Sequence, residues 1–318
     1  MGEHATGYFL IDGGQTGTRL RIESSAGDGG RVIDDRELGP VRTDRPVVEQ
    51  IGQAVRGVVD EAGIGSGDWI LAAGITGLTP QAARPSALLA SLTDIGVNAV
   101  VLSHDSVTAY LAANAGEPGV VTAVGTGVVT LGVGRAGVHR VDGWGYLFGD
   151  AGSAYWMGRA GIDAALRALD GRGDATVLQE HAADLFGPLP ELYMVVQGDP
   201  ARVALVAGFA RMVDEAARSG DVVARRIVDD AAAELAHSAV TALARSGHRP
   251  GESARISWMG SVMTANDRLR ERFVEVVSER APGVDVAPPY GRPLDGVRGL
   301  IDLDAGHPLS AEVHVARL

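Results

Sequence analysis

Two segments of the chain share one pattern: an apolar strand, a turn rich in glycine and threonine, and a second strand. In residues 7–22, the run GYFLI leads into Asp12-Gly13-Gly14, and the alternating segment TRLRI follows. In residues 119–133, GVVTAV leads into Gly125-Thr126-Gly127 and a further apolar strand. Each segment predicts a β-hairpin. Their recurrence within one chain predicts a duplicated architecture.

The remaining pattern predicts an α/β fold, because strands alternate with helix-periodic segments. The length of 318 residues favours two domains. We expect a first domain at residues 1–117 and a second at 118–318, with a final helix able to pack back on the first. Further strands are predicted at 69–75, 99–102, 255–259 and 284–286, and a loop at 27–30. Helices are predicted at 46–62, 81–95, 106–114, 268–280 and 295–303, and within the Ala-rich stretches 153–182 and 200–246.

Composition excludes several kinds of chemistry. The chain has no cysteine, which excludes disulfides, iron–sulfur clusters and thiol catalysis. All 28 basic residues are arginine, so a phosphate-binding lysine and a Schiff base are excluded. A phosphate would therefore be held by backbone N–H groups, hydroxyls, arginine or a metal ion.

The net charge of −12 argues against a nucleic acid or an anionic membrane as partner, because it repels phosphate groups. The N-terminal segment MGEHATGYFLIDGG lacks a basic region followed by a long apolar stretch, and no window reaches the length of a membrane span. A soluble, cytoplasmic protein is expected.

Both glycine-rich turns are candidate phosphate-binding loops, because glycine lets a phosphate approach the backbone N–H groups. Asp12, at the end of a strand, could hold Mg²⁺ directly or through water. The alternative is an ordinary hairpin turn in each place.

Asp105 follows a buried strand and precedes a helix. A carboxylate at the carboxyl end of a strand could accept the proton of an attacking hydroxyl group. Alternatively, Asp105 caps the helix.

The segment GWGYLFGDAGSAYW, residues 143–156, surrounds Asp150 with glycine and aromatic residues. Asp150 could accept hydrogen bonds from sugar hydroxyls. The alternative is a structural loop with Ser153 as the helix cap.

The chain resembles the N-acetylglucosamine kinase and BadF-type ATPase group of the sugar kinase and actin superfamily. The resemblance rests on the segments above together with AAGITGL, SHDSVTAYLAA, VAGFARMVDEAARSGD and ISWMGSV. They follow the family's order over residues 8–303. The resemblance implies two related actin-like ATPase (ribonuclease H-like) domains with a central cleft between them. It also implies ATP-dependent phosphorylation of a small-molecule sugar, with N-acetylglucosamine and its 6-OH group as the expected acceptor.

The resemblance further implies site residues. Asp105 matches the general base and also contacts the sugar, and Asp12 matches the Mg²⁺-associated carboxylate. The remaining sugar-site positions are Gly77, Gly143, Trp144, Gly145 and Asp150. The ATP-site positions are Gly13, Gly14, Gln15, Thr16, Gly125, Thr126, Gly127, Ala207, Gly208, Gly260 and Ser261.

Two stretches depart from the family's pattern. Relatives often place a sugar-contacting Asn after the first hairpin, where this chain has Leu38-Gly39-Pro40-Val41-Arg42-Thr43-Asp44. The second phosphate loop continues with Val128-Val129 instead of Ser-Asn or Ser-Ile. Both stretches fall near sugar contacts, which leaves glucosamine, another hexose or a muramic-type sugar as alternative acceptors.

A different class of function is a regulatory ATPase of the same family. Members that activate a partner reductase hold a cluster through cysteines, which this chain lacks. No helix-turn-helix is visible near either end, and the Cys-rich zinc segment of the transcription-regulator relatives is missing. Relatives often form dimers, so a homodimer is compatible with the sequence.

Overall fold

The computed structural model describes residues 7–14, 17–25, 31–42 and 44–318. The loop predicted at 27–30, the predicted ATP-site residues Gln15 and Thr16, and Thr43 lie outside the described residues. The chain forms two compact units. The first comprises the described residues up to Glu117 together with Pro289–Leu318, and the second comprises Pro118–Pro288. Residues 289–318, predicted to belong to the second domain with a final helix able to pack back on the first, lie in the first unit.

The strands are β1 (Gly7–Gly13), β2 (Thr18–Ser24), β3 (Arg31–Leu38), β4 (Trp69–Ile75), β5 (Val97–His104), β6 (Gly119–Val124), β7 (Val128–Gly134), β8 (Gly137–Val141), β9 (Arg255–Met259), β10 (Asp285–Val286) and β11 (Val313–Arg317). The helices are α1 (Val47–Ala62), α2 (Pro85–Leu92), α3 (Asp105–Asn114), α4 (Ala154–Leu169), α5 (Leu178–Phe186), α6 (Leu192–Gly198), α7 (Arg202–Gly208), α8 (Ala210–Arg218), α9 (Val222–Arg245), α10 (Ser261–Ala265), α11 (Asp267–Arg280) and α12 (Pro293–Gly299). Single 3-10 turns span Thr93–Ile95, Leu189–Glu191 and Pro308–Glu312.

Each unit contains one sheet, and the two sheets repeat the same strand order. In the first unit the order is β3-β2-β1-β4-β5-β11, and in the second it is β8-β7-β6-β9-β10. Both begin with an antiparallel three-stranded meander whose first strand pairs in parallel with the next strand along the chain. Both predicted hairpins are therefore confirmed, and the duplication extends to the strands beyond them.

In the first unit, apolar side chains of the sheet pack on α1 and α2. Phe9, Ile11 and Leu71 face this core and are fully buried. The amphipathic pattern of α1 places Val55 and Val59 in the same core. On the sheet's other face, α3 packs on α12.

The second unit is built around α9, which packs on β6, β7 and β8 and on the helices α4, α8 and α11. Its N-terminus is capped by Asp221, whose side chain accepts a hydrogen bond from the Ala224 N–H at 2.8 Å. Close packing on the sheet requires glycine, because a Cβ on Gly132 would lie 2.6 Å from the Ala242 carbonyl oxygen. Within the described residues, no helix combines the length and the apolar character needed to cross a bilayer.

Two predicted helices are shorter than expected, and three strands were missed. The helix predicted at 81–95 is α2, which starts at Pro85 because Pro85 occupies its first turn and Arg84 before it has ψ 68°. The helix predicted at 295–303 is α12, which starts at Pro293 and ends at Gly299. The missed strands β3, β8 and β11 are edge strands without a buried apolar face, so they lack the period-two signal.

The packing of α12 on α3 generates a stability prediction. A Cβ on Gly296 would lie 1.9 Å from the Thr108 carbonyl oxygen, whereas one on Gly299 would meet Leu111 at an ordinary 3.5 Å. Gly296→Ala should therefore lower the free energy of unfolding by about 1–3 kcal/mol. Gly299→Ala, in the same helix, should be neutral or stabilising by about 0.5–1 kcal/mol. Urea unfolding of both variants measures this, and equal stabilities would contradict the packing.

Candidate active site

Asp12 and Asp105 lie at the same edge of the first unit's sheet. Both β1 and β5 pair in parallel with β4, so their carboxyl ends point the same way. In this register Asp12 lies opposite Gly74, and His104, immediately before Asp105, lies opposite Ile75. Parallel pairing thus brings Asp105, the predicted general base, and Asp12, the predicted Mg²⁺-associated carboxylate, to either side of one strand.

Close approach of the backbone shapes the edge between them. A Cβ on Gly74 would lie 2.3 Å from Thr108 Oγ1, so glycine lets α3 approach β4 here. The Thr76 N–H donates a hydrogen bond to the Gly13 carbonyl at 2.8 Å. Gly77 then turns the chain with φ +69°, a conformation that favours glycine. The predicted residues Gly13 and Gly77 therefore belong to adjoining turns.

The Asp12 carboxylate is largely buried and lies near a second negative charge. Burial, followed by the charge of Asp105, raises the pKa of Asp12 to about 6. Neither a hydrogen bond nor an ion pair reaches this carboxylate from any residue that the structure describes. A carboxylate in this setting fits Mg²⁺, which prefers carboxylate, water and phosphate oxygens. Among the described residues, no group of three or more His, Asp or Glu side chains forms a metal site by itself, so Asp12 would hold the ion together with phosphates and water.

Asp105 does not cap α3, and the capping alternative is wrong. The helix begins at Asp105, and the cap is His104, whose Nδ1 accepts a hydrogen bond from the Ser106 N–H at 3.2 Å. His104 Nδ1 also lies 2.9 Å from Asp105 Oδ1. The Asp105 side chain remains 32% exposed. Its carboxylate therefore contacts His104 and does not cap the helix.

The turn after β1 is held by backbone hydrogen bonds. The Gly14 N–H donates to the Gly17 carbonyl at 2.9 Å, and the Gly14 carbonyl accepts from the Val41 N–H at 2.9 Å. The second bond ties the candidate phosphate loop to the segment at 38–44.

The two charged side chains of that segment pair with each other. Asp44 forms an ion pair with Arg42 at 2.7 Å. Gln50 on α1 accepts from the Arg42 N–H at 2.9 Å and donates to its carbonyl at 2.8 Å. The described residues of this segment are therefore bonded to one another and to α1.

In the second unit, Gly125, Thr126 and Gly127 form the turn between β6 and β7. The Gly125 carbonyl accepts from the Ala154 N–H at 3.0 Å, and the Thr126 carbonyl accepts from the Tyr155 N–H at 3.1 Å. This turn is thus fixed to the first turn of α4.

The loop at residues 143–150, the GWG loop, packs against the same turn through Asp150. A Cβ on Gly127 would lie 2.5 Å from Asp150 Oδ2. Asp150 is 7% exposed, has φ +58°, and accepts hydrogen bonds from the backbone of Val128 and Gly145. Burial raises the pKa of Asp150, and the charge of Asp142 adds to that rise. The sequence pattern thus leads to a turn and a loop that share one buried carboxylate.

Aromatic and apolar side chains of the GWG loop face solvent. Trp144, Leu147 and Phe148 are 74%, 68% and 88% exposed. Gly143 and Gly145 have φ +76° and +83°, so glycine permits the loop's path. Ser153 caps α4 by accepting a hydrogen bond from the Trp156 N–H at 3.2 Å. The helix cap predicted at Ser153 is therefore present.

The two predicted adenosine-contacting pairs, Gly260-Ser261 and Ala207-Gly208, lie at different places in the second unit. Gly260, at the end of β9, has φ +97°, and a Cβ there would lie 2.2 Å from the Val124 carbonyl oxygen. Gly260-Ser261 therefore adjoins the Gly125–Gly127 turn. Ala207-Gly208 ends α7, which packs on α4. A Cβ on Gly208 would meet open space.

Two functional candidates, His104 in the first unit and Asp142 in the second, were not predicted from the sequence. His104 ends a strand, and no sequence motif marks it as a helix cap. Asp142 directly precedes the GWG motif, and an acidic residue between a strand and a glycine-rich turn is a typical acceptor for backbone N–H groups. That signal was available in the sequence.

Comparison with known proteins gives one family match. The sequence profile of the BadF/BadG/BcrA/BcrD ATPase family matches residues 11–299. An N-acetylmuramic acid/N-acetylglucosamine kinase of Clostridium acetobutylicum is 27% identical over 190 residues, 59% of this chain and 62% of that protein. An N-acetyl-D-glucosamine kinase of Dictyostelium discoideum is 26% identical over 190 residues, 58% of this chain and 60% of that protein. The matches thus span less than two thirds of these relatives.

A solved structure shows the same fold. The crystal structure of a candidate N-acetylglucosamine kinase from Chromobacterium violaceum has a TM-score of 0.74 and 24% sequence identity. The likeness covers 94% of this chain and all of that one. The predicted fold class, two related actin-like α/β domains, is confirmed.

The raised pKa of Asp12 generates a prediction about stability and pH. Protonated Asp12 stabilises the folded protein below pH 3.8, the ordinary pKa, and this contribution is lost as pH rises to about 6. Asp12→Asn has no charge to bury, so its stability relative to the parent should be about 1–2 kcal/mol more favourable at pH 8 than at pH 4.5. Denaturant unfolding without divalent cations measures this.

The Asp105 charge provides the control. In an Asp105→Asn background, burial alone raises the pKa of Asp12, so the same substitution should give a smaller pH-dependent gain. A gain independent of pH in both backgrounds would show that the Asp12 carboxylate is not held as described.

Proposed function

Because the chain belongs to the BadF/BadG/BcrA/BcrD ATPase family, we propose that it is an ATP-dependent sugar kinase whose acceptor is the 6-OH group of N-acetylglucosamine. The names of the two curated relatives support phosphorylation of an amino sugar. ATP use follows from the family.

The observation that carries this proposal is the pair Asp12 and Asp105. The two carboxylates flank β4 at its carboxyl end, where ligands bind in open α/β sheets. Asp105 is partly exposed and has no capping role, and Asp12 is a largely buried acid suited to a cation. A general base beside a metal-associated carboxylate is the arrangement that phosphoryl transfer needs.

In the proposed reaction, the sugar hydroxyl oxygen forms a bond to the γ-phosphorus of ATP. The bond from that phosphorus to the β–γ bridging oxygen breaks, and ADP leaves. Asp105 accepts the hydroxyl proton as the new bond forms. Asp12, together with the phosphates, would hold Mg²⁺, and that ion would supply positive charge to offset the charge of the transferring group.

The second unit contributes recognition. The Thr126 and Gly127 N–H groups would bind phosphate oxygens, whereas the Gly125 N–H already donates to the Gly127 carbonyl. In the first unit, Gly13 and Gly14 would let the phosphates approach the backbone closely. Gly260-Ser261 and Ala207-Gly208 would contact the adenosine. The GWG loop would hold the sugar, with Asp150 accepting hydrogen bonds from its hydroxyls. Two features stay predictions: a cleft between the two domains and the formation of a homodimer.

The acceptor is the least constrained part of the proposal. The segment at 38–44 offers no Asn, and Asp44 is paired with Arg42. One curated relative is named for both N-acetylmuramic acid and N-acetylglucosamine. A panel of N-acetylglucosamine, N-acetylmuramic acid, glucosamine and glucose, ranked by kcat/KM, identifies the acceptor.

Sugar-dependent ADP release tests the function itself. A kinase releases ADP in proportion to the sugar phosphorylated. A regulatory ATPase releases ADP at a rate that no sugar in the panel changes, and that result would overturn the kinase proposal.

Asp105→Asn should lower kcat by several orders of magnitude while ATP and sugar still bind, because the amide cannot accept the proton. Asp221→Asn is the matched control, since Asp221 is a true helix cap. That variant should lose about 1 kcal/mol of stability, because the amide NH₂ cannot accept the bonds that Thr176 Oγ1 and the Val177 N–H donate to Oδ2, and it should keep its kcat. Steady-state kinetics and thermal unfolding of both variants measure this. Near-normal turnover by Asp105→Asn would remove Asp105 from the role of base.

A further inference from the structure

Asp142, the residue after β8, binds both ends of the GWG loop. Its Oδ1 accepts hydrogen bonds from the Gly143 N–H at 2.7 Å and from the Asp150 N–H at 2.8 Å. Its Oδ2 accepts from the Ala151 N–H at 3.0 Å. One carboxylate therefore closes a loop whose ends are eight residues apart in sequence.

The loop is wrapped tightly around this carboxylate. A Cβ on Gly149 would lie 2.4 Å from Asp142 Oδ1 and 2.9 Å from the Trp144 Cβ. Asp142 itself has φ +59°, a conformation that Asp tolerates better than most residues. Shape and hydrogen bonding thus select a short carboxylate at this position.

Arg140 completes the arrangement from β8. Its Nε donates to the Asp142 carbonyl at 3.2 Å, and its Nη2 donates to the Gly143 carbonyl. Its guanidinium group lies 5.7 Å from the centre of the Trp144 ring. The base of the loop is therefore bonded on both its N–H and its carbonyl side.

Apolar packing does little to hold the loop. Trp144, Leu147 and Phe148 are mostly exposed, and the Tyr146 ring meets Tyr155 with centroids 5.0 Å apart. With so little buried surface, the loop's conformation depends on hydrogen bonds. These are the bonds to Asp142, the bond from Arg140 to the Gly143 carbonyl, the bond from the Gly145 backbone to the Asp150 carboxylate, and two internal bonds to the Gly145 carbonyl. Loss of the carboxylate should loosen the loop more than it destabilises the unit.

We propose that Asp142 is a positioning residue for the acceptor sugar: it fixes the GWG loop in one conformation and thereby orients the Asp150 carboxylate. The role rests on the proposed kinase function. Asp142 acts through the loop and does not touch the reacting atoms. Asp150, placed by its own N–H bond to Asp142, presents its carboxylate beside the Gly125–Gly127 turn.

Three substitutions separate the carboxylate from the backbone conformation. Asp142→Ala removes all three acceptor bonds and strains φ +59°. Asp142→Gly removes the same bonds but tolerates that φ. Asp142→Asn keeps the shape and one acceptor oxygen, but its NH₂ group faces a backbone N–H.

The kinetic expectation is a split between substrates. Asp142→Gly and Asp142→Ala should lower kcat/KM for the sugar by about 10- to 100-fold, mainly through KM, and leave KM for ATP unchanged. Asp142→Asn should fall between these variants and the parent. The control Asp170→Ala removes a carboxylate that accepts the Arg172 N–H in an exposed turn, and it should leave both constants unchanged. An Asp142→Gly enzyme with parental KM for the sugar would overturn the proposal.

Hydrogen exchange keeps this test separate from the kinase proposal. In the unliganded protein, amides of residues 143–151 should exchange faster in Asp142→Gly than in the parent, while amides of α9 remain protected. If the parent phosphorylates no sugar, the function fails but the exchange result still reports on the loop. Unchanged exchange at 143–151 would refute the positioning role in either case.

Discussion

Two acidic side chains brought to one edge of a sheet dominate the first unit. Because β1 and β5 both pair in parallel with β4, the chain places Asp12 and Asp105 at neighbouring strand ends. The folded protein bears the unfavourable energy of two nearby charges, one of them largely buried, which is why the pKa of Asp12 rises. Such a site gains energy from a cation, and Mg·ATP would bring one. The same pair of carboxylates that destabilises the free protein would therefore favour binding of a cation.

The second unit meets a different constraint, since a chain without lysine can hold a phosphate only with backbone N–H groups, hydroxyls, arginine or a metal ion. Here carboxylates accept from backbone N–H groups and hold glycine-rich turns in shape. Asp142 shapes the GWG loop, and Asp150 joins that loop to the Gly125–Gly127 turn. Glycine is needed at these contacts because a Cβ on Gly127 or Gly149 would collide with the Asp150 or Asp142 carboxylate.

Much of the fold could be predicted from the sequence, because buried strands and amphipathic helices carry strong periodic signals. β4 and β9 were found this way, as were α1 and α11. Edge strands such as β3 were missed because neither face is buried. For the site, strand-end acids and glycine turns were visible, but the cap of α3 was not. Whether Asp105 or His104 receives the Ser106 N–H depends on side-chain rotamers that no spacing encodes. The hydrogen bonds that Asp142 Oδ1 accepts from the N–H groups of Gly143 and Asp150, far apart in the loop sequence, are likewise a property of the folded loop.

The return of residues 289–318 to the first unit has a consequence for biosynthesis. The second unit is one uninterrupted segment, Pro118–Pro288, whereas the first needs β11 beside β5 and α12 on α3. On the ribosome the inserted unit has its whole sequence available before the surrounding one does. The nascent first unit therefore exposes the flank of β5 and the outer face of α3 until residues 289–318 emerge. A protein laid out in this way can complete its inner segment before the surrounding unit closes.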